Sequence, residues 1–180
     1  PETLWQQTFG GLETANSERL KSDLTLMWEH LRQSEYGQLA DEYWDEVPFQ
    51  LKLAPNLRVE GRFDRLIKNR RGELVLVDYK THRLGNSRLQ QVAPYYYWQL
   101  QLYALAVAAV WGRQPDRAVL YFVYPDTAVP VPLDAAALDT TVQEVLNIGR
   151  FLSEHRELTD YPLLEEGRCQ ACPYCWFCWK

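Results

Sequence analysis

Apolar residues recur at helical spacing from Asn16 to about Gln33, with Leu20, Leu24, Met27 and Leu31 along one stripe. Ser17 stands where a helix cap belongs. The period then changes to two. Between Tyr43 and Leu53 the residues Val47, Phe49, Leu51 and Leu53 alternate with their neighbours, which predicts a strand. Pro55-Asn56 breaks it, Leu57 to Ile67 reads as a second strand, and Leu74 to Tyr79 as a third. Leu74, Val75, Leu76 and Val77 are apolar without alternation, the pattern of a buried central strand. Thr81 to Ala93 is polar and reads as a loop. Pro94 opens a helix to about Trp111, since proline suits a first helical turn. Arg117 to Tyr124 is a further strand, Pro125-Asp126 a turn, and Ala128 to Val131 a short return strand. Asp134 is placed to cap a long helix reaching about Glu157. Asp160 to Lys180 is irregular and rich in Cys, Pro and Trp. Helix, three-stranded meander, helix, strand pair, helix is the order of an α/β fold with a mixed central sheet flanked by helices.

At 180 residues, 47% hydrophobic and 13% aromatic, the chain is expected to fold as one ordinary globular core. The longest apolar stretch, Leu100 to Trp111, is too short to span a bilayer. No positively charged leader opens the sequence, so no membrane partner and a cytoplasmic location are expected. The chain begins on Pro1, which reads as a piece of a longer protein. A net charge of -5 argues against simple coating of DNA, because neutralising phosphates needs a basic surface. It suits an enzyme whose carboxylates await a metal and whose grip on DNA is local or supplied by a partner.

The hairpin between the second and third strands carries the candidate chemistry. Gly61-Arg62-Phe63-Asp64 lies on one strand and Asp78-Tyr79-Lys80 on the next, with Asn69-Arg70-Arg71-Gly72 at the turn. A three-residue loop, Arg70-Arg71-Gly72, places Asp64 opposite Asp78, and Gly72 suits its left-handed last position. A bulge near the site offers another route to the same result. Lys80, two residues beyond Asp78, falls on the same face. Two carboxylates and an ammonium are the minimum for holding a hard divalent cation, Mg²⁺ or Mn²⁺, and cutting a phosphodiester. Asp64 and Asp78 are the side-chain ligands on this reading, the backbone carbonyl of Tyr79 is a further ligand, and Lys80 stabilises developing negative charge. The Asp-x-Lys triplet alone also reads as a surface salt bridge. Two aspartates at the end of a buried strand favour the metal, because burying them costs free energy without a cation.

Arg62, beside this site, and Arg83 and Arg88, in the loop after Lys80, are candidate DNA-phosphate contacts. His82 reads as a solvated loop residue. Tyr95-Tyr96-Tyr97-Trp98 invites base stacking, but four consecutive residues point all round a helix, so packing on the sheet is the reading for most of them. The four cysteines, Cys169, Cys172, Cys175 and Cys178, fall within the last twelve residues. That spacing favours metal ligation over disulfides, and four thiolates hold either Zn²⁺ or a 4Fe-4S cluster.

Four segments in order resemble the RecB-like branch of the PD-(D/E)xK nucleases: Asp45-Glu46-Val47-Pro48-Phe49, Gly61-Arg62-Phe63-Asp64, Asp78-Tyr79-Lys80-Thr81, and Gln99-Leu100-Gln101-Leu102-Tyr103. The resemblance implies a restriction-endonuclease-like sheet and metal-dependent DNA cleavage. It implies a place as exonuclease module of a break-processing helicase–nuclease, partnered by a helicase domain or a helicase subunit, with the bacterial cytoplasm, at the nucleoid, as its setting. Gln99 and Tyr103 join the catalytic set by the same resemblance, one helical turn apart on one face. Such enzymes carry an upstream metal-binding histidine. Here His30 lies close before the Glu46 strand and reads as an ordinary helix residue first and the equivalent ligand second; the alternative the resemblance implies is a ligand ahead of Pro1. Cys169-x-x-Cys172-Pro-Tyr-x-x-x-Cys178 resembles the ending of iron–sulfur members, which favours 4Fe-4S over Zn²⁺. The fourth ligand is then either Cys175 or an upstream cysteine outside this chain. Residues 1–160 are the expected nuclease core and 161–180 a metal or iron–sulfur tail packed on it. The competing reading is a catalytically silent relative that binds DNA or serves assembly.

Overall fold

A computed structural model describes residues 15–38, 42–157 and 160–161. Its described elements run α1 (Ala15–Gln33), β1 (Glu42–Ala54), β2 (Leu57–Lys68), β3 (Leu74–Lys80), α2 (Asn86–Val92), a 3₁₀ turn (Ala93–Tyr96), α3 (Tyr97–Trp111), β4 (Arg117–Phe122), β5 (Thr127–Val131) and α4 (Ala135–Glu154). The chain divides into two compact units, Pro1–Gln143 and Glu144–Lys180.

In the first unit the five strands form one sheet in sequence order. β1, β2 and β3 make an antiparallel meander, β3 and β4 run parallel, and β4 and β5 are antiparallel. The expected α/β fold with a mixed sheet is present. A parallel neighbour demands a crossover, which α2, the 3₁₀ turn and α3 supply. Both edge strands contain a proline, Pro48 in β1 and Pro130 in β5. Proline cannot donate to a ladder, so edges are where it fits.

β3 is buried from Leu74 through Asp78. Leu74 and Leu76 face a core built with Leu100, Ala104 and Val107 of α3. Val75 and Val77 face a second core closed by Met27 and Leu31 of α1. α1 and α3 therefore cover opposite faces of the sheet, the reason β3 shows no polar alternation.

The hairpin loop is Arg70-Arg71-Gly72. Asn69 N–H donates to the Glu73 carbonyl at 3.0 Å, and Gly72 adopts φ 78. The Asn69 carboxamide oxygen accepts the N–H groups of Arg71 and Glu73 at 2.9 and 3.0 Å, stapling the turn.

Four elements differ from the sequence expectation. The stretch Thr81 to Ala93 is not all loop, because α2 forms within it. Leu89 (1% exposed) and Ala93 (0%) bury one side of that turn against the core, an anchor that a polar sequence conceals. The helix expected from Pro94 divides into a 3₁₀ turn and then α3 from Tyr97. β4 stops at Phe122, and α4 ends at Glu154. Asp134 does cap α4, accepting from Ala137 N–H at 3.1 Å.

Asp116 ties the start of β4 to the hairpin. Its carboxylate accepts the Leu74 N–H at 2.7 Å and pairs with Arg113. The Leu74 N–H, ahead of Arg113, holds the Asp116 carboxyl below the ordinary carboxylate range. A depressed folded pKa stabilises above the unfolded value, and that contribution disappears as pH falls through the folded one. Asp116→Ala is expected to cost about 1 kcal/mol at neutral pH, the low end for a charge-assisted bond at a partly exposed, screened site. Denaturant unfolding as a function of pH checks it: the deficit must shrink in acid, and a pH-independent deficit contradicts the assignment.

Within the second unit, Phe151 stacks on His155 with ring centroids 4.0 Å apart, and the Tyr161 hydroxyl donates to the His155 carbonyl at 3.0 Å. Cys169, Cys172, Cys175 and Cys178 lie outside the described residues.

Candidate active site

The β2–β3 ladder pairs Arg65 with Val77, Leu66 with Leu76, Ile67 with Val75 and Lys68 with Leu74. Extending that register by one step sets Asp64 opposite Asp78. The strands part there. Tyr79 N–H loses its ladder acceptor and donates to the Asp64 carboxylate at 2.8 Å instead. Asp64 thus replaces a backbone partner and is held by the strand that carries Asp78.

A second irregularity frames this point. Trp44 and Phe63 both pack on Trp111 of α3, with ring centroids 5.6 and 6.0 Å away. Trp44 pairs with Leu66, and Val47 with Phe63. Strict alternation would place those two pairs on opposite faces. The alternation breaks at Glu46, which has φ 53 and lies across from Asp64. The kink turns the outer halves of β1 and β2 toward α3 and leaves Asp64 at the corner.

Asp78 is 1% exposed. Lys80 Nζ lies 2.7 Å from its buried Oδ2 as an ion pair of imperfect hydrogen-bond geometry, and no other donor reaches that oxygen. Desolvation pushes the Asp78 carboxyl above its ordinary value; the Lys80 ammonium opposes the shift and the Asp64 charge adds to it. Lys80 Nζ also donates to Gln99 Oε1 at 3.0 Å, and Gln99 Nε2 donates to the Tyr103 hydroxyl at 2.7 Å. Burial raises the Tyr103 pKa, with the charges of Asp78 and Asp64 contributing and the Gln99 bond opposing, so the phenol keeps its proton. Tyr79 points to the opposite face, where its hydroxyl donates to the Tyr36 carbonyl at 2.5 Å and ties the end of β3 to the segment after α1.

The structure therefore brings Asp64, Asp78, Lys80, Gln99 and Tyr103 together. The three arginines are elsewhere engaged or exposed. Arg62 pairs with Glu46 at 3.7 Å on the surface. Arg83 pairs with Asp23 of α1 at 3.3 Å and lies over the Tyr124 ring. Arg88 is exposed on α2. His30 Nδ1 sits 3.0 Å from the Val123 carbonyl. Among the described residues no group of three or more His, Cys, Asp and Glu side chains forms a metal-holding cluster.

Tyr96, which the sequence offered only within an aromatic run read mostly as packing, joins the site: its ring centroid lies 4.3 Å from Lys80 Nζ. The signal was available, since Tyr96, Gln99 and Tyr103 are spaced three and four apart, one helical face.

Two aspartates, one of them buried with an orphaned oxygen, fit a hard divalent cation. Asp64 and Asp78 are the side chains here that could hold one.

Gly61 has a steric role. It pairs with Phe49, and a Cβ there would lie 2.8 Å from Phe49 Cζ and 3.6 Å from Tyr103 Cε1. The Phe49 and Tyr103 rings are themselves in edge contact at 5.5 Å. Gly61→Ala is expected to cost about 2 kcal/mol by overpacking and to slow any cleavage by shifting Tyr103 away from Gln99. Thermal unfolding and a cleavage assay check both; an unchanged melting temperature speaks against the steric role.

The family model of the PD-(D/E)XK nuclease superfamily matches residues 2–179. The chain is 35% identical over 94 residues to an ATP-dependent helicase/nuclease subunit of Anoxybacillus flavithermus (strain DSM 21510 / WK1), covering 49% of this chain and 8% of that protein. It is also similar to the solved crystal structure of SSO0001, with a TM-score of 0.49 and 18% identity over 98% of this chain and 79% of that one.

Proposed function

Because this chain belongs to the PD-(D/E)XK nuclease superfamily, we propose that it is a metal-dependent deoxyribonuclease module, the exonuclease part of a helicase–nuclease that processes DNA double-strand breaks. The observation that carries the reading is Asp78: a 1% exposed carboxylate beside Asp64 whose buried Oδ2 is met by the Lys80 ammonium alone. The helicase context is supported by similarity to a helicase/nuclease polypeptide, of which this chain spans a small part.

Asp64, Asp78 and the Tyr79 carbonyl would hold Mg²⁺ or Mn²⁺. When bound, such a cation supplies an activated water and a clamp on a phosphate oxygen. Lys80 neutralises charge that develops on the phosphate. Gln99 accepts from Lys80 and donates to Tyr103, so the ammonium is aimed before substrate arrives. Arg62, Arg83 and Arg88 are proposed phosphate contacts. Arg88 serves as it stands, whereas Arg62 and Arg83 must first leave Glu46 and Asp23.

The same reading takes residues 1–160 as the nuclease core and 161–180 as a structural tail. The thiolates of Cys169, Cys172, Cys175 and Cys178 suit a 4Fe-4S cluster, with Zn²⁺ as the alternative. A cytoplasmic location at the nucleoid follows from the proposed substrate. No described helix is long and apolar enough to cross a membrane.

Linear single- and double-stranded DNA incubated with the protein and Mg²⁺ or Mn²⁺ tests the activity. Cleavage is expected with metal and none with chelator, Asp78→Ala or Lys80→Ala. Degradation that persists in both variants removes the assignment. An absorption spectrum of anaerobically purified protein tests the tail: a broad visible band supports iron–sulfur, and its absence refutes it.

A further inference from the structure

We propose that Tyr96 is a positioning residue for Lys80, its ring forming one wall of the cage that fixes the ammonium between Asp78 and Gln99. The inference rests on reading Lys80 as the cation of the proposed nuclease site.

Lys80 is buried along most of its length, with 13% of its side chain exposed. Three groups surround Nζ: Asp78 Oδ2 at 2.7 Å, Gln99 Oε1 at 3.0 Å and the Tyr96 ring centroid at 4.3 Å. The first two are oxygens that pull the ammonium along the sheet and toward α3. Neither prevents it from swinging into solvent. The third presents the electron-rich face of an aromatic ring, which attracts a cation without competing for its protons. A carboxylate in that place would trap the ammonium and oppose an incoming phosphate. An aliphatic side chain would give shape and no attraction.

The ring is itself held. Tyr96 ends the 3₁₀ turn Ala93–Tyr96, where Ala93 is fully buried and Tyr97 N–H donates to the Pro94 carbonyl. Its hydroxyl pairs with His82 Nε2 at 3.2 Å, and the His82 ring lies 6.5 Å from that of Phe122 at the end of β4. The backbone is thus set by the crossover, and the far end of the ring by the loop directly after Lys80. Tyr96 also stands three residues before Gln99, so one helical face delivers both partners of the ammonium.

The test compares Tyr96→Leu and Tyr96→Phe with wild type in two readouts. In steady-state cleavage of linear DNA, Tyr96→Leu is expected to lower kcat about tenfold with KM unchanged, and Tyr96→Phe to recover to within about threefold of wild type, because the ring face carries the effect. In NMR spectra of lysine-labelled protein without metal, the Lys80 Hε signal, assigned by its disappearance in Lys80→Arg, is expected upfield of the other lysines from the ring current. It stays there in Tyr96→Phe and moves back among them in Tyr96→Leu. An unmoved Lys80 signal in Tyr96→Leu overturns the proposal. So does a full cleavage rate in that variant, or a loss carried by KM, which would make Tyr96 a DNA contact. If wild type cuts no DNA with either metal while the Lys80 signal moves as stated, the nuclease reading fails and the hold of Tyr96 on Lys80 stands.

Discussion

Asp78→Asn is expected to abolish cleavage, by at least about a thousandfold, and at the same time to raise the melting temperature at neutral pH by a few degrees in the absence of metal. The two effects share one cause. Burial holds the Asp78 carboxyl above its ordinary value despite the ammonium beside it. In strong acid both folded and unfolded wild type carry the proton. As pH rises, the unfolded chain ionises first and the folded state resists, so wild type loses stability between the unfolded and the raised folded value. Above that window the penalty is constant. Asparagine has no proton to lose and escapes it. The advantage of the variant must therefore grow from acid to neutral pH. Mg²⁺ should narrow it, since the cation stabilises only a site that binds it. Melting curves across pH, with chelator and with Mg²⁺, read all three. A variant that melts lower than wild type at neutral pH would show that the Lys80 pair outweighs desolvation.

Lys80→Ala should lose activity by about a hundredfold or more and, unlike Asp78→Asn, lose stability as well. Removing the lysine leaves a 1% exposed carboxylate with no cation and no hydrogen-bond donor on Oδ2. Breaking a buried pair on the side that strands the fully buried charge costs about 3 kcal/mol, whereas the ammonium left by Asp78→Asn keeps Gln99 Oε1 and 13% of its side chain in solvent. Mg²⁺ should restore much of that loss without restoring cleavage, because the metal meets the buried charge but not the need at the phosphate. Lys80→Arg should rescue stability better than rate, since a planar guanidinium does not occupy the place of a compact ammonium. Urea unfolding with and without Mg²⁺ measures the first claim, and single-turnover cleavage the second. The opposite signs of the two stability changes are the diagnostic. A surface salt bridge predicts two small losses and no metal dependence.

Much of the site was legible because the hairpin is local. The parity of positions across a three-residue loop, with Gly72 available for a left-handed conformation, puts Asp64 across from Asp78 without any tertiary information. The apolar run Leu74–Val77 announced a strand buried on both faces, and β3 is that strand. What could not be read locally was the break at Glu46. Nothing in Asp45-Glu46-Val47 declares φ 53 at its centre; the kink goes with Trp44 and Phe63 both packing on Trp111, on a helix far along the chain. α2 escaped for a related reason. Its sequence is polar, and only the burial of Leu89 and Ala93 against α3 and the sheet makes a helical turn worthwhile.

The sequence by itself named Asp64, Asp78 and Lys80 as candidates and determined the register that sets the two aspartates opposite one another and the α/β order of elements, because periodicity, turn length and strand parity act over a few residues. Only the tertiary structure decided that β4 lies parallel beside β3, that α1 and α3 take opposite faces, and that Tyr96 closes over Lys80. Those outcomes depend on which distant apolar surfaces bury one another, and burial is a property of the assembled chain that no local window contains.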